Sequence, residues 1–198
     1  MSLEHSGEIT SLPFPRVDGL LALHIRRGDF ASHCDELAKW SSDWNGFNQF
    51  DELPDKFKVP EGGGWGTNTP ENFAVYRKHC YPTVSQIVEK VSSVRKKVTG
   101  LKRIYIMTNG KTEWVNELIL ALGIAEKWEA ISSTGDLSLT REQKYVSQAL
   151  DMYVAQRAEA FIGNGVSVFG DSAQILSTDR AVVRYYCHWL HHGISGLA

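Results

Sequence analysis

Apolar positions along this chain switch repeatedly between a strand-like run and a helical spacing. Gly19-Leu20-Leu21-Ala22-Leu23-His24-Ile25 is a short, almost unbroken apolar stretch, the pattern of a strand buried on both faces. Thr69-Pro70-Glu71 reads as a helix start, with Thr as cap and Pro in the first turn, and helical character continues through Tyr76. Pro82 is expected to begin a fresh helix to about Val98, with Val84, Ile87, Val88, Val91 and Val94 on one face. Lys102 to Thr108 is the second predicted strand, apolar at Ile104, Ile106 and Met107. Lys111 to Leu122 carries a helical stripe at Trp114, Leu118 and Leu122, with Gly123 as the expected C-cap. A short third strand is predicted over Lys127 to Ser132, and Thr140-Arg141-Glu142-Gln143 fits a capping box. That box opens a helix carrying Val146, Leu150 and Tyr153; Ala160 to Gly163 is the fourth strand, and Ser167 to Leu176 the helix after it. Such alternation predicts an α/β fold: a three-layer, Rossmann-like domain around a mostly parallel, doubly wound sheet.

One stretch breaks the rhythm. Ala31 to about Thr69 is expected to be a long irregular insertion, because it contains Trp40, Trp44, Pro54, Pro60, the Gly62-Gly63-Gly64 triplet, Trp65 and Gly66. Loops of this length inside a domain are usually functional, and the aromatic content favours a partly ordered cover.

Composition narrows the class. At 198 residues and 42% hydrophobic content the chain suits one domain, residues 1–198, with a sizeable core. A formal charge of −2 excludes a strongly basic nucleic-acid binder. No apolar run approaches the roughly 20 residues that span a bilayer, and no signal peptide is visible. Cys34, Cys80 and Cys187 lack metal-type spacing. In the cytosol they would stay thiols; in an oxidising compartment Cys34 and Cys80 could pair across the insertion.

The first strand ends abruptly in His24-Ile25-Arg26-Arg27-Gly28-Asp29-Phe30. Ligands of open α/β sheets bind at the carboxyl edge of the strands, and a guanidinium there suits phosphate. Arg26 is therefore a candidate diphosphate ligand, the alternative being an ion pair with Asp29 or a contact with a C-terminal carbonyl. His24 lies two residues earlier and projects to the same side of an extended strand, where it could hydrogen-bond a nucleotide or orient Arg26, the alternative being a buried, satisfied structural histidine. Arg27 points the other way and is expected to be structural. Arg27-Gly28-Asp29 also matches an integrin-recognition tripeptide, a weak signal in the wrong place. Phe161 to Phe169 predicts a second anchor: Gly163 and Gly165 permit a tight turn, and the next helix offers free N–H groups and the Ser167 hydroxyl to an anion. Its spacing matches neither the dinucleotide fingerprint nor a Walker loop. Asp151, on the preceding helix, either reads a ligand or faces solvent. The Cys187-His188-Trp189-Leu190-His191-His192 cluster matches no closed zinc set, and no Asp-x-Asp motif is evident, so no metal cofactor is expected.

Three of these segments carry a family resemblance. His24 to Phe30 is similar to the His-x-Arg-x-Gly/Asp motif of the GDP-fucose protein O-fucosyltransferase group. Phe161-Ile162-Gly163-Asn164-Gly165-Val166-Ser167-Val168-Phe169 resembles its later Phe-Ile-Gly-Asn-x-Val-Ser-Ser-Phe motif, and Ile104 to Asn109 is similar to a strand between them. The resemblance implies the donor-binding, C-terminal half of a two-domain, inverting GT-B glycosyltransferase acting in the ER or Golgi lumen. It implies that His24, Ile25, Arg26, Asp151, Ser167, Val168 and Phe169 bind GDP-fucose or GDP, with Arg26 also catalytic and Asp151 accepting from guanine N1 and N2. The acceptor, a protein or a glycan, would be held largely by an N-terminal domain of the same polypeptide, which this length does not accommodate. Where the family commonly has Ser-Ser-Phe-Thr, this chain reads Ser167-Val168-Phe169-Gly170, two hydroxyls fewer. That departure motivates a second hypothesis, a nucleotide-sugar-binding module that has lost turnover. An unrelated nucleotide- or phosphate-using α/β enzyme is a third.

Overall fold

The computed structural model describes residues 15–43, 57–163 and, as backbone alone, 183–186. Its centre is a five-stranded, all-parallel sheet in the order β3-β2-β1-β4-β5. The strands are β1 (Val17–His24), β2 (Arg103–Met107), β3 (Ala130–Ser133), β4 (Ala158–Gly163) and β5 (Val183–Tyr186). β1 is central because Leu20 to Leu23 are buried whichever face they meet, so both edges can pair. In register, His24 at its end lies between Met107 of β2 and Gly163 of β4.

Side-chain alternation on β1 divides the core in two. Leu21, Leu23 and Ile25 join Ile87, Val91 and Val94 of helix α3 (Val84–Lys97) and Leu118 and Leu122 of α4 (Thr112–Ala125). Leu20 and Ala22 face the other way, packing with Tyr105, Met107, Phe161 and with Ala155 of α6 (Ser147–Arg157). Three layers result, as the strand–helix alternation predicts. The sheet order also reverses direction at β1: the chain winds outward to β2 and β3, then returns to place β4 on the opposite side. The carboxyl ends of β1 and β4 form the topological switch point, where such sheets bind ligands.

The described part of the insertion is more ordered than its composition suggests. Residues 30–39 form helix α1 (Phe30–Lys39), burying Phe30, Cys34 and Ala38 at four-residue intervals. Helix α2 (Pro70–Cys80) packs against it, capped by the Thr69 hydroxyl, which accepts from the Asn72 N–H at 3.2 Å. Cys34 and Cys80 form a disulfide between these helices, inside a small third core with Phe57 and Tyr76.

Other boundaries move for local reasons. The expected helix at Pro82 begins instead after Thr83, whose side chain forms a capping box with Gln86. α4 runs through Gly123 to Ala125, because the glycine sits in an exposed helical turn with nothing near it. The helix after Thr140 breaks at Val146 into α5 (Arg141–Tyr145) and α6. Val146 is exposed, and α6 buries Asp151 and Ala155 rather than the predicted apolar stripe. β5 was not anticipated. The helix predicted over 167–176 lies outside the described residues, as does the Cys187–His192 cluster.

Candidate functional site

The end of β1 presents its side chains in sharply different environments. His24 is buried on the α6 side of the sheet. Burial, and then the positive charge of Arg26, lower its pKa from 6.5 to about 4. The imidazole is therefore neutral at physiological pH and offers one N–H and one lone pair, not charge. The positive charge beside it is that of Arg26.

Arg26 is the exposed member of the pair. Its side chain keeps 41% of its accessible surface, with Nη2 3.6 Å from Asp29 Oδ1 and the guanidinium 5.5 Å from the Phe30 ring centroid. The alternative foreseen from sequence, an Arg26–Asp29 pair, is thus present, but the Asp29 side chain is 81% exposed. An ion pair of this kind contributes little. Arg27 is the opposite case. It is buried, its guanidinium 4.0 Å from the Tyr81 ring centroid and 4.1 Å from that of Trp114. Burial lowers its pKa, against the raising influence of Tyr81 and Glu117. The residue expected to be structural is structural, and an Arg27-Gly28-Asp29 recognition loop is excluded by that burial.

Ile25 contributes through its backbone. Its N–H donates to the Met107 carbonyl at 2.9 Å, and its own carbonyl accepts from the Thr108 hydroxyl at 2.6 Å. Gly28 then turns the chain with φ +59°, a conformation that favours glycine.

Asp151 belongs to a separate polar cluster near the ends of β2 and β3. Tyr105 Oη donates to its Oδ1 at 2.8 Å, and Thr134 Oγ1 lies 3.0 Å from both carboxylate oxygens. Burial raises the Asp151 pKa, while the Tyr105 and Thr134 hydrogen bonds act to lower it. The Tyr105 hydroxyl is pushed up well beyond its usual range, first by burial and then by Asp151. A solvent-facing role for Asp151 is ruled out. Tyr105 and Thr134 were missed from sequence; the only signal is that Tyr105 is a polar-tipped residue in a buried strand, which needs a partner.

Gly163 ends β4 opposite His24, and a Cβ there would sit 2.9 Å from the Phe161 ring. Ser167, Val168 and Phe169 lie outside the described residues. Among the described residues no group of His, Cys, Asp and Glu is arranged to hold a metal ion, and no helix is long and apolar enough to cross a membrane.

Comparison with known proteins assigns this geometry a context. The family model described as GDP-fucose protein O-fucosyltransferase matches residues 11–180. Among solved structures, POFUT1 in complex with GDP-fucose superposes with a TM-score of 0.55 at 15% identity, covering 86% of this chain and 42% of that one. A second crystal form of the same complex gives 0.54 at 17% identity, covering 86% and 41%. POFUT1 in complex with GDP gives 0.54 at 16% identity, covering 86% and 43%. The likeness is one of fold, and the chain spans about two fifths of the length of these structures. No curated protein sequence matches at a significant level.

Proposed function

Because the chain belongs to the GDP-fucose protein O-fucosyltransferase family, a family of glycosyltransferases, we propose that its β1–β4 edge binds the diphosphate of GDP-fucose through Arg26. One observation supports this above all: a half-exposed guanidinium stands at the switch point of the sheet, beside the solvent-exposed carboxylate of Asp29. Fucosyl transfer forms a bond from the acceptor hydroxyl oxygen to the anomeric carbon, breaks the bond from that carbon to the β-phosphate oxygen, and passes the hydroxyl proton to a base or to water. The electron pair leaves on GDP. A fixed cation at that oxygen lowers the barrier because its charge interaction strengthens as the bond breaks. In this reading His24 donates or accepts one hydrogen bond beside the phosphate. Ser167, Val168 and Phe169 bind the same nucleotide, as the family resemblance implies, and Asp151, oriented by Tyr105 and Thr134, reads the guanine edge. No metal is required, since Arg26 supplies the countercharge.

The chain as a single nucleotide-sugar-binding domain, the donor half of a GT-B enzyme, follows from the same proposal. So do an N-terminal half carrying the acceptor site and a protein or glycan as acceptor. The Cys34–Cys80 disulfide supports residence in the oxidising lumen of the secretory pathway. The reading of a binding module without turnover is favoured by Val168 and Gly170, where hydroxyls are common in the family. GDP binding without fucosylation, even with an N-terminal half supplied, would select it.

The test is calorimetric titration of GDP into the wild-type chain and Arg26→Ala. Loss of one charge-assisted diphosphate contact is expected to weaken GDP by about thirtyfold or more. Undiminished GDP binding by the variant would contradict the proposal.

A further inference from the structure

We propose that Thr108 and Asn109, in the turn after β2, are positioning residues that fix the direction of Arg26 without touching the ligand. The proposal rests on the reading of Arg26 as the diphosphate ligand and identifies what aims it.

The backbone ladder between β1 and β2 ends where the Ile25 N–H meets the Met107 carbonyl. Beyond that point the two chains diverge, and side chains of the second take over the ladder's role. Thr108 Oγ1 donates to the Ile25 carbonyl at 2.6 Å and accepts from the Gly110 N–H at 3.0 Å, so its single proton is committed in one direction. Asn109 Oδ1 accepts from the Arg27 N–H at 2.7 Å. These two contacts hold the peptide group before Arg26 and the peptide group after it. A residue whose flanking peptide planes are both fixed has its φ and ψ fixed, and with them the direction of its Cα–Cβ bond. Arg26 is held in this way although its side chain is half exposed.

Two further observations belong to the same device. A Cβ on Gly28 would lie 3.0 Å from Asn109 Nδ2, so the left-handed glycine lets the amide seat against the turn. Arg27, clasped between Tyr81 and Trp114, anchors the chain immediately downstream. Preorganisation of this kind matters most for a cation that must meet developing charge without first rearranging.

The experiment measures GDP and GMP affinity by calorimetry on the full 198-residue chain. GMP lacks the β-phosphate that becomes the leaving group, so it reports everything except the aimed contact. Thr108→Val, which keeps the side-chain volume, and Asn109→Ala are each expected to weaken GDP by about fivefold to tenfold while leaving GMP within about twofold. Thr108→Ser, which restores the hydroxyl, is expected to bind GDP like the wild type. In an Arg26→Ala background Thr108→Val should add nothing, because there is no guanidinium left to aim. Equal weakening of GDP and GMP, or full additivity with Arg26→Ala, would overturn the proposal and leave the contacts a purely structural role. So would an unchanged GDP affinity in both Thr108→Val and Asn109→Ala when Arg26→Ala weakens it. An Arg26→Ala variant that binds GDP normally would instead sink the diphosphate reading, and the positioning role with it.

Discussion

Arg26 and Arg27 are neighbours in sequence with opposite surroundings. Arg27 is enclosed by two aromatic faces on the α3–α4 side of the sheet, and its Nη1 has no hydrogen-bond partner among the described residues. Arg26 stands half in solvent, beside an exposed carboxylate. Both are cations at the carboxyl edge of the same strand, so residue type alone does not distinguish them. What separates them is the use to which the charge can be put. A guanidinium stacked between two rings and desolvated contributes to cohesion, whereas a half-exposed one keeps part of its hydration. The same division runs through the polar residues: Thr108 and Asn109 serve backbone groups, while His24 sits neutral beside the half-exposed cation.

The contrast can be broken or sharpened at several points. The largest effect is expected from the disulfide, which closes a sequence separation of 46 residues and anchors Cys80, next to the Tyr81 ring that covers Arg27. The Cys34→Ser/Cys80→Ser double variant is expected to lose about 4 kcal/mol of stability in urea unfolding. Its affinity for GDP should be nearly unchanged if the Arg26 side is held by β2 alone. A tenfold fall in affinity would show instead that the two environments are coupled.

His24 comes next. Its pKa is lowered from 6.5 to about 4, so between those values the unfolded chain binds a proton that the folded chain refuses. This contribution to stability is present above pH 6.5, is lost as pH falls through that window, and changes no further below about 4. It amounts to about 3 kcal/mol. Asp151, whose pKa is raised, contributes with the opposite sign, gaining stability as pH falls, and is common to wild type and variant. Stability measured at pH 7 and pH 4.5 should therefore differ less in His24→Gln than in wild type. Equal differences would show that His24 is not held neutral.

Arg27→Ala is expected to cost about 2 kcal/mol through the loss of two stacking contacts, with GDP affinity kept within about threefold. Arg27→Met fills the same slot without a buried charge and should stay within about 1 kcal/mol of wild type. Denaturant melts beside GDP titrations check both; a large loss of GDP affinity in Arg27→Met would erase the distinction between the two arginines.

The first four strands and their parallel order are legible in the sequence because buried strands and amphipathic helices leave different apolar periods. β1, β2, β4 and the α3 and α4 faces follow from that alone. α1 is not legible, since two of its three buried positions are a cysteine and an alanine, and the cysteine is buried as half of a disulfide whose partner lies 46 residues away. The buried face of α6 was missed for a related reason: it holds Asp151, a charged residue whose burial becomes tolerable only when Tyr105 and Thr134 arrive from β2 and from the turn after β3. At the candidate site, the His24–Arg26 segment announces itself through charge at the end of an apolar run. The Thr108-Asn109-Gly110 turn does not, because nothing local says that its side chains reach across to the exit of another strand.

The most direct test of the central claim is a crystal structure of this chain with GDP bound. A β-phosphate oxygen about 2.7–2.9 Å from the Arg26 guanidinium, with Arg27 still stacked between Tyr81 and Trp114, is the expected result. GDP bound away from the β1–β4 edge, or at that edge with Arg26 still turned to Asp29, would contradict it.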